Sequence, residues 1–172
     1  DLKGIVEATN MLVEKCLVEG WDYLWIVEGD VEVPPDAFQR LFLEADINLG
    51  VYPNHRDTEL RMMAGYFRIR PQGNPPVVVS VNDRGKLEGR VFEGMVCTGV
   101  GCALIKRSVF ESGLRFVYDP DLFRVKVGVH DQLFLFEAQR TFGFKVFLHG
   151  DVFCGHLPEW PLSHVHEGSS HL

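Results

Sequence analysis

Glu28 and Asp30, with Gly29 between them, are the residues whose type and spacing most directly imply chemistry in this chain. They close the apolar run Tyr23-Leu24-Trp25-Ile26-Val27. That run shows no alternation, so it reads as a strand buried on both faces that surfaces at its carboxyl end. In an open α/β sheet, ligands bind at that end. Side chains two apart on an extended segment point the same way, so the pair can present two carboxylates together, and the glycine admits a ligand to the backbone. Adjacent carboxylates repel unless something positive joins them, and hard oxygen donors suit Mg²⁺ or Mn²⁺ carrying a substrate's phosphates. A solvated acidic turn is the alternative reading of the same residues.

Two further places could carry chemistry. Thr98-Gly99-Val100-Gly101 breaks an apolar stretch over 95–105, and its glycines mark either a bulge or tight turn, or backbone that sits against a ligand. His130-Asp131 opens a helical pattern with Phe134, Ala138 and Phe142 on one stripe and Gly143 at its close. There the helix dipole favours a carboxylate, so a role as N-cap accounts for Asp131 without further function. His149 and His156 flank the last apolar segments, while His164, His166 and His171 lie in a polar tail over 158–172 and read as incidental.

The elements that must position these groups follow from periodicity. Ile5, Ala8, Leu12 and Cys16, with Val6, Val13 and Leu17, recur at helical spacing over 3–19, and Gly20 stands where a C-cap would. Pro34-Pro35 at a first turn, then Phe38, Leu41, Phe42 and Ala45, predict a helix over 35–45, followed by a strand over 47–52. Helix, strand, helix, strand in that order favours parallel pairing. Beyond it, 64–70 and 77–81 are strand-like around a Pro/Gly-rich turn, Asp83-Arg84-Gly85 is a turn, 106–112 reads as a short helix, and Asp119-Pro120-Asp121 as a loop. Two short strands, 144–148 and 152–154, separated by His149-Gly150-Asp151, complete the chain before Gly155-His156. The expected fold class is α/β: a mainly parallel sheet with antiparallel additions and helices on both faces.

Composition bounds the function. At 172 residues, with 46% hydrophobic and 24% charged residues, the chain is expected to form a single domain, 1–172, with a substantial core. A formal charge of −7 and the absence of a dense Lys/Arg run argue against nucleic acid as a partner. Cys16, Cys97, Cys102 and Cys154 form no CxxC pair, which favours buried reduced thiols and a reducing, cytoplasmic compartment over a zinc cage or a disulfide framework. No apolar span of membrane length and no basic-then-apolar leader occurs, so no transmembrane segment is expected in this chain. The chain opens at Asp1 almost directly into a helical pattern, which reads as a piece of something longer.

Taken in order, these motifs resemble one family, the nucleotide-sugar-dependent glycosyltransferases of the GT-A fold, especially family 2. The stretch from Asp22 to Phe38, containing Glu28-Gly29-Asp30, is similar to the family's strand, DxD motif and following helix. Thr98 to Ile105, with Arg107 and Phe110, resembles its glycine-containing acceptor-side segment. His130-Asp131-Gln132-Leu133-Phe134 resembles its ED-x-x-F element, and Gly143 to His156 its closing strands. Glu28 replaces the usual Asp, and His130 the usual Glu. The family's nucleotide-binding first strand-helix region has no counterpart, because only 27 residues precede Glu28.

The resemblance implies metal-dependent transfer of a sugar, with inversion, from a UDP-, GDP- or dTDP-linked donor to a hydroxyl acceptor on a glycan, lipid or small molecule. It casts Asp30 as the ligand of Mn²⁺ or Mg²⁺, with Glu28 assisting through ribose or metal contacts and His156 as a further ligand. Gly99 and Gly101 would lie against the bound donor, and Asp131 would be the general base. Two alternatives compete: a non-catalytic sugar- or nucleotide-binding module of the same fold, and a nucleotidyltransferase.

Overall fold

The computed structural model describes residues 2–54, 61–62, 64–68, 77–81, 84–119 and 130–157. In chain order the elements are α1 (Leu2–Glu19), β1 (Tyr23–Val27), β2 (Val31–Glu32), α2 (Ala37–Leu41), β3 (Ile47–Val51), β4 (Pro53–Asn54), β5 (Arg61–Met62), β6 (Ala64–Arg68) and β7 (Val77–Ser80). They continue with α3 (Arg84–Leu87), β8 (Val91–Phe92), β9 (Val96–Thr98), β10 (Cys102–Lys106), α4 (Arg107–Glu111), α5 (His130–Arg140), β11 (Val146–Phe153) and β12 (Gly155–His156). The protein is thus mixed α/β. The Pro/Gly-rich turn between β6 and β7, Pro120-Asp121 and the polar tail with His164, His166 and His171 lie outside the described residues.

The central sheet has five strands in the order β1-β10-β3-β11-β8. It is mostly antiparallel, which corrects the expectation of a mainly parallel sheet: only β3 and β11 pair in parallel, and the β1–β10, β10–β3 and β11–β8 pairings are antiparallel. Because β10 opposes both β1 and β3, those two strands and β11 still run the same way, as the alternating helix-strand order requires. β10 lies between them because it starts at the edge where β1 and β3 end, reached from β9 through Gly99, Val100 and Gly101 alone. A connection that short cannot carry the chain back across the sheet to begin a parallel strand.

Helices cover both faces, as expected. On one, α1, α4 and α5 supply Val6, Val13, Cys16, Val109, Phe110, Phe134, Leu135 and Ala138 to the core, against Leu24 and Ile26 of β1, Ile47 and Leu49 of β3 and Ala103 and Ile105 of β10. Phe116 stacks on Phe134 there at 4.1 Å between ring centroids. On the other face, Ala37 and Leu41 of α2 pack with Tyr52, Cys102, Leu104, Val152 and Cys154. β3 is buried throughout, but β1 is not. Leu24 and Ile26 face the core while Trp25 is 38% and Val27 40% exposed, so an unbroken apolar run here marks an edge strand rather than one buried on both faces.

Local chemistry accounts for the helix ends. Gly20 adopts φ +70°, and the Gly20 and Trp21 amides donate to Leu17 O at 3.3 Å and Cys16 O at 3.1 Å, the paired bonds of a Schellman cap. The covered line on α1 is Val6, Val13 and Cys16; Ile5, Ala8 and Leu12, expected on that stripe, are exposed. α2 is shorter than the expected 35–45, since Phe42 leaves the helix at ψ 69°. Phe38 and Phe42 are exposed on the outer side and lie against Trp25 and Tyr23, while Leu41 and Ala45 are buried. Phe142 falls beyond α5 and is exposed. The two strands expected at 144–148 and 152–154 are one, β11, whose register shifts between Leu148 and Phe153. Gly150 makes that continuity possible: a Cβ there would overlap the Leu87 carbonyl, and its amide donates to Arg90 O at 2.8 Å. The four cysteines are buried and free, and no helix among the described residues is long and apolar enough to cross a membrane.

Candidate active site

One rim of the sheet collects the ends of four strands. β1, β3 and β11 finish there and β10 begins there, so Glu28 and Asp30, Tyr52, Cys154 with β12, and the Gly99–Gly101 link come together. The Glu28–Asp30 segment is a turn rather than extended chain: the Val31 amide donates to Glu28 O at 3.0 Å. The two carboxylates are therefore not a parallel pair on one strand face. Glu28 is half-buried and directed at the glycine link, whereas Asp30 is exposed.

The link is held by groups from three elements. The Gly101 carbonyl accepts the Glu28 amide at 3.0 Å, the Gly101 amide donates to Tyr52 Oη at 3.2 Å, and the Val100 amide donates to Asp131 Oδ2 at 3.4 Å. Neither glycine has a positive φ; what they provide is space. A Cβ at Gly99 would overlap the Tyr52 hydroxyl and lie 3.3 Å from Asp131 Oδ2. One at Gly101 would lie 2.7 Å from Glu28 Oε2 and 3.0 Å from Tyr52 Oη. Glu28, Tyr52 and Asp131 thus converge on two positions where a side chain is excluded.

Asp131 is in the first turn of α5 and only 7% exposed. Its Oδ1 lies 2.5 Å from His130 Nε2, an ion-pair contact whose angle falls short of a hydrogen bond, and neither Oδ1 nor His130 Nδ1 has a hydrogen-bond partner. Burial pulls the His130 pKa down, but pairing with Asp131 and the charge of Glu28 outweigh it and raise it above the usual histidine value. Tyr52 is 4% exposed, and burial, then the charges of Glu28 and Asp131, push its phenol well above the ordinary tyrosine range. It is a neutral donor and acceptor among carboxylates at any physiological pH. Burial, with Asp131 adding to it, raises the Cys97 thiol to about 12, so this neighbour is not a nucleophile.

The structure therefore brings Glu28, Asp131, Gly99 and Gly101 into contact around Tyr52, with Asp30 at the same rim. His156 is on β12, its backbone paired with Val31, and the Leu157 amide donates to Asp30 O at 2.7 Å. The His156 imidazole, and with it the ligand role, lies outside the described part of the structure. Tyr52 was not anticipated from sequence. The available signal was an aromatic residue with a polar tip directly after the largely apolar run Ile47–Val51 and before Pro53.

Among the described residues, no three His, Cys, Asp or Glu side chains stand close enough to hold a metal by themselves. That donor set does not fit a zinc cage. Mg²⁺ and Mn²⁺ differ from zinc in using only one or two protein carboxylates and completing their shell with substrate phosphates and water. No protein-family model matches this chain, and no curated protein does.

Proposed function

We propose that this chain carries the acidic half of a GT-A-type glycosyltransferase site, which transfers a sugar from a UDP-, GDP- or dTDP-linked donor to a hydroxyl acceptor with inversion. The observation that carries the reading is the convergence of Glu28 and Asp131, from distant parts of the chain, on the two glycines of the Gly99–Gly101 link at the rim where β1 and β3 end. Asp30, with Glu28 and His156, would hold Mg²⁺ or Mn²⁺; such a cation, when bound, offsets the charge that develops on the departing diphosphate. Asp131 accepts the proton of the acceptor hydroxyl as its oxygen forms the new bond to the anomeric carbon. The bond from that carbon to the diphosphate breaks on the opposite face, and its electron pair leaves with the nucleotide. Four buried, unpaired thiols support a reducing compartment such as the cytoplasm as the place of action.

The test is incubation with Mn²⁺ and a panel of UDP-, GDP- and dTDP-linked sugars, following nucleoside diphosphate release and the anomeric configuration of the product. Release with inversion is expected. A product that keeps its nucleotide would make the protein a nucleotidyltransferase, and donor binding without release would make it a binding module. In calorimetry, Asp30→Asn is expected to weaken Mn²⁺-supported donor binding by at least about tenfold with little change in melting temperature. Unchanged Mn²⁺ affinity would remove Asp30 from the cation site.

A further inference from the structure

Tyr52 takes part in no step of the transfer described above, yet it touches both glycines of the link. Its hydroxyl is buried, accepts the Gly101 amide at 3.2 Å and occupies the space a side chain at Gly99 would need. The two residues that flank this hydroxyl through the glycine positions are Glu28, on the expected cation side, and Asp131, on the expected acceptor side. Val100, between the two glycines, donates its amide to Asp131, and Gly101 accepts the Glu28 amide. Three consecutive residues therefore tie together elements that share no covalent proximity, and Tyr52 is the side chain that meets both ends of that tie, Gly99 and Gly101.

We infer that Tyr52 is a positioning residue, whose hydroxyl, by holding the Gly99–Gly101 link, sets the distance between Glu28 and Asp131. The inference rests on the glycosyltransferase reading for its kinetic consequence, but not for its structural one. The scaffold supports the precision this role needs: Tyr52 follows β3, which is buried along its whole length, and the Cys154 amide anchors the neighbouring backbone through Val51 O at 2.7 Å. A group directly after a central, buried strand moves less than one in the middle of a loop, and displacements near 1 Å between reacting groups are enough to cost rate heavily.

Tyr52→Phe removes one oxygen and leaves the ring in place. In the protein alone, amide NMR is expected to show the Gly101 and Val100 resonances shifted, because the first loses its acceptor and the second moves relative to Asp131. With the donor that the panel identifies, kcat is expected to fall between about tenfold and a hundredfold while the donor KM stays within about twofold. A double-mutant cycle with Gly99→Ala supplies the second arm. The added methyl collides with the Tyr52 hydroxyl, so Gly99→Ala is expected to lower kcat and thermal stability less in the Tyr52→Phe background than in the parent. Unmoved Val100 and Gly101 amides, unchanged kcat, or strict additivity in the cycle would each overturn the inference. If the parent releases nucleoside diphosphate from no donor, the glycosyltransferase reading fails instead, and the amide shifts with the stability cycle decide the role of Tyr52 by themselves.

Discussion

Asp131 Oδ2 accepts the Val100 amide while Oδ1 lies in an ion-pair contact with His130 Nε2, so the carboxylate is oriented chiefly through Oδ2. A helix-start carboxylate that served only as a cap would tolerate isosteric neutralisation, whereas a general base would not. Asp131→Asn is accordingly expected to leave donor and Mn²⁺ binding in place while transfer falls by roughly two to four orders of magnitude. Parental turnover in that variant would return Asp131 to a structural role. A second buried histidine gives a prediction independent of activity. His149 is almost inaccessible, contacts Asn48 Oδ1 at 3.0 Å, and has its pKa lowered to about 4, by burial first, against a smaller opposing pull from Asp151. The unfolded chain binds a proton near pH 6.5 and the folded chain only near 4, so acidification favours unfolding. Stability from this residue is complete above about pH 6.5 and declines as the pH falls to about 4, by about 3 kcal/mol in total. His130, raised rather than lowered, acts in the opposite sense, so the discriminating measurement compares denaturation curves of the parent and His149→Gln across that interval. Parallel pH dependence in the two proteins would contradict the assignment.

At the scale of elements, local signals and long-range pairing separate cleanly. The Gly20 cap is local, and it was legible because only a residue without a Cβ takes φ +70° at little cost. Gly20→Ala is expected to cost about 1 kcal/mol, lowering the melting temperature by about 2–4 °C, and an unchanged melting curve would mean the cap is not the helix stop. The direction of β1, β3 and β11 was equally legible, from the alternation of helix and strand. The insertion of β10 was not, because strand neighbourhood depends on which edge the chain re-enters, and the periodicity of 102–106 is the same in either direction. The continuity of β11 through His149-Gly150-Asp151 escaped for a related reason: turn-like residues there serve a bulge against the Leu87 carbonyl. In the site, Glu28, Asp30, Asp131, Gly99 and Gly101 could be named from charge, spacing and family resemblance. Tyr52 could not, since its role comes from contacts with a link about fifty residues away.

The whole molecule sets two long-range effects against each other at β1. Its outer edge is unpaired among the described residues, and its five residues include no charge, proline or bulge of the kind that keeps sheet edges apart. Exposed Trp25 and Val27 lie on that strand, Trp25 is joined by Phe38, and Met11 and Val18 of α1 add further exposed apolar surface. Such an edge attracts another strand, through backbone bonds and apolar burial alike. A formal charge of −7 on every copy opposes association, over a Debye length of about 30 Å at 0.01 M salt but only about 8 Å at 0.15 M. Which term wins should therefore depend on ionic strength, opposite to the behaviour of a complex held by salt bridges. Sedimentation of this chain is expected to show monomer at low salt and concentration-dependent association as salt rises, and Trp25→Lys, which puts a charge on the edge, is expected to keep it monomeric throughout. Association that weakens with salt, or that Trp25→Lys leaves untouched, would place the contact elsewhere on the surface and leave the β1 edge without a role in assembly.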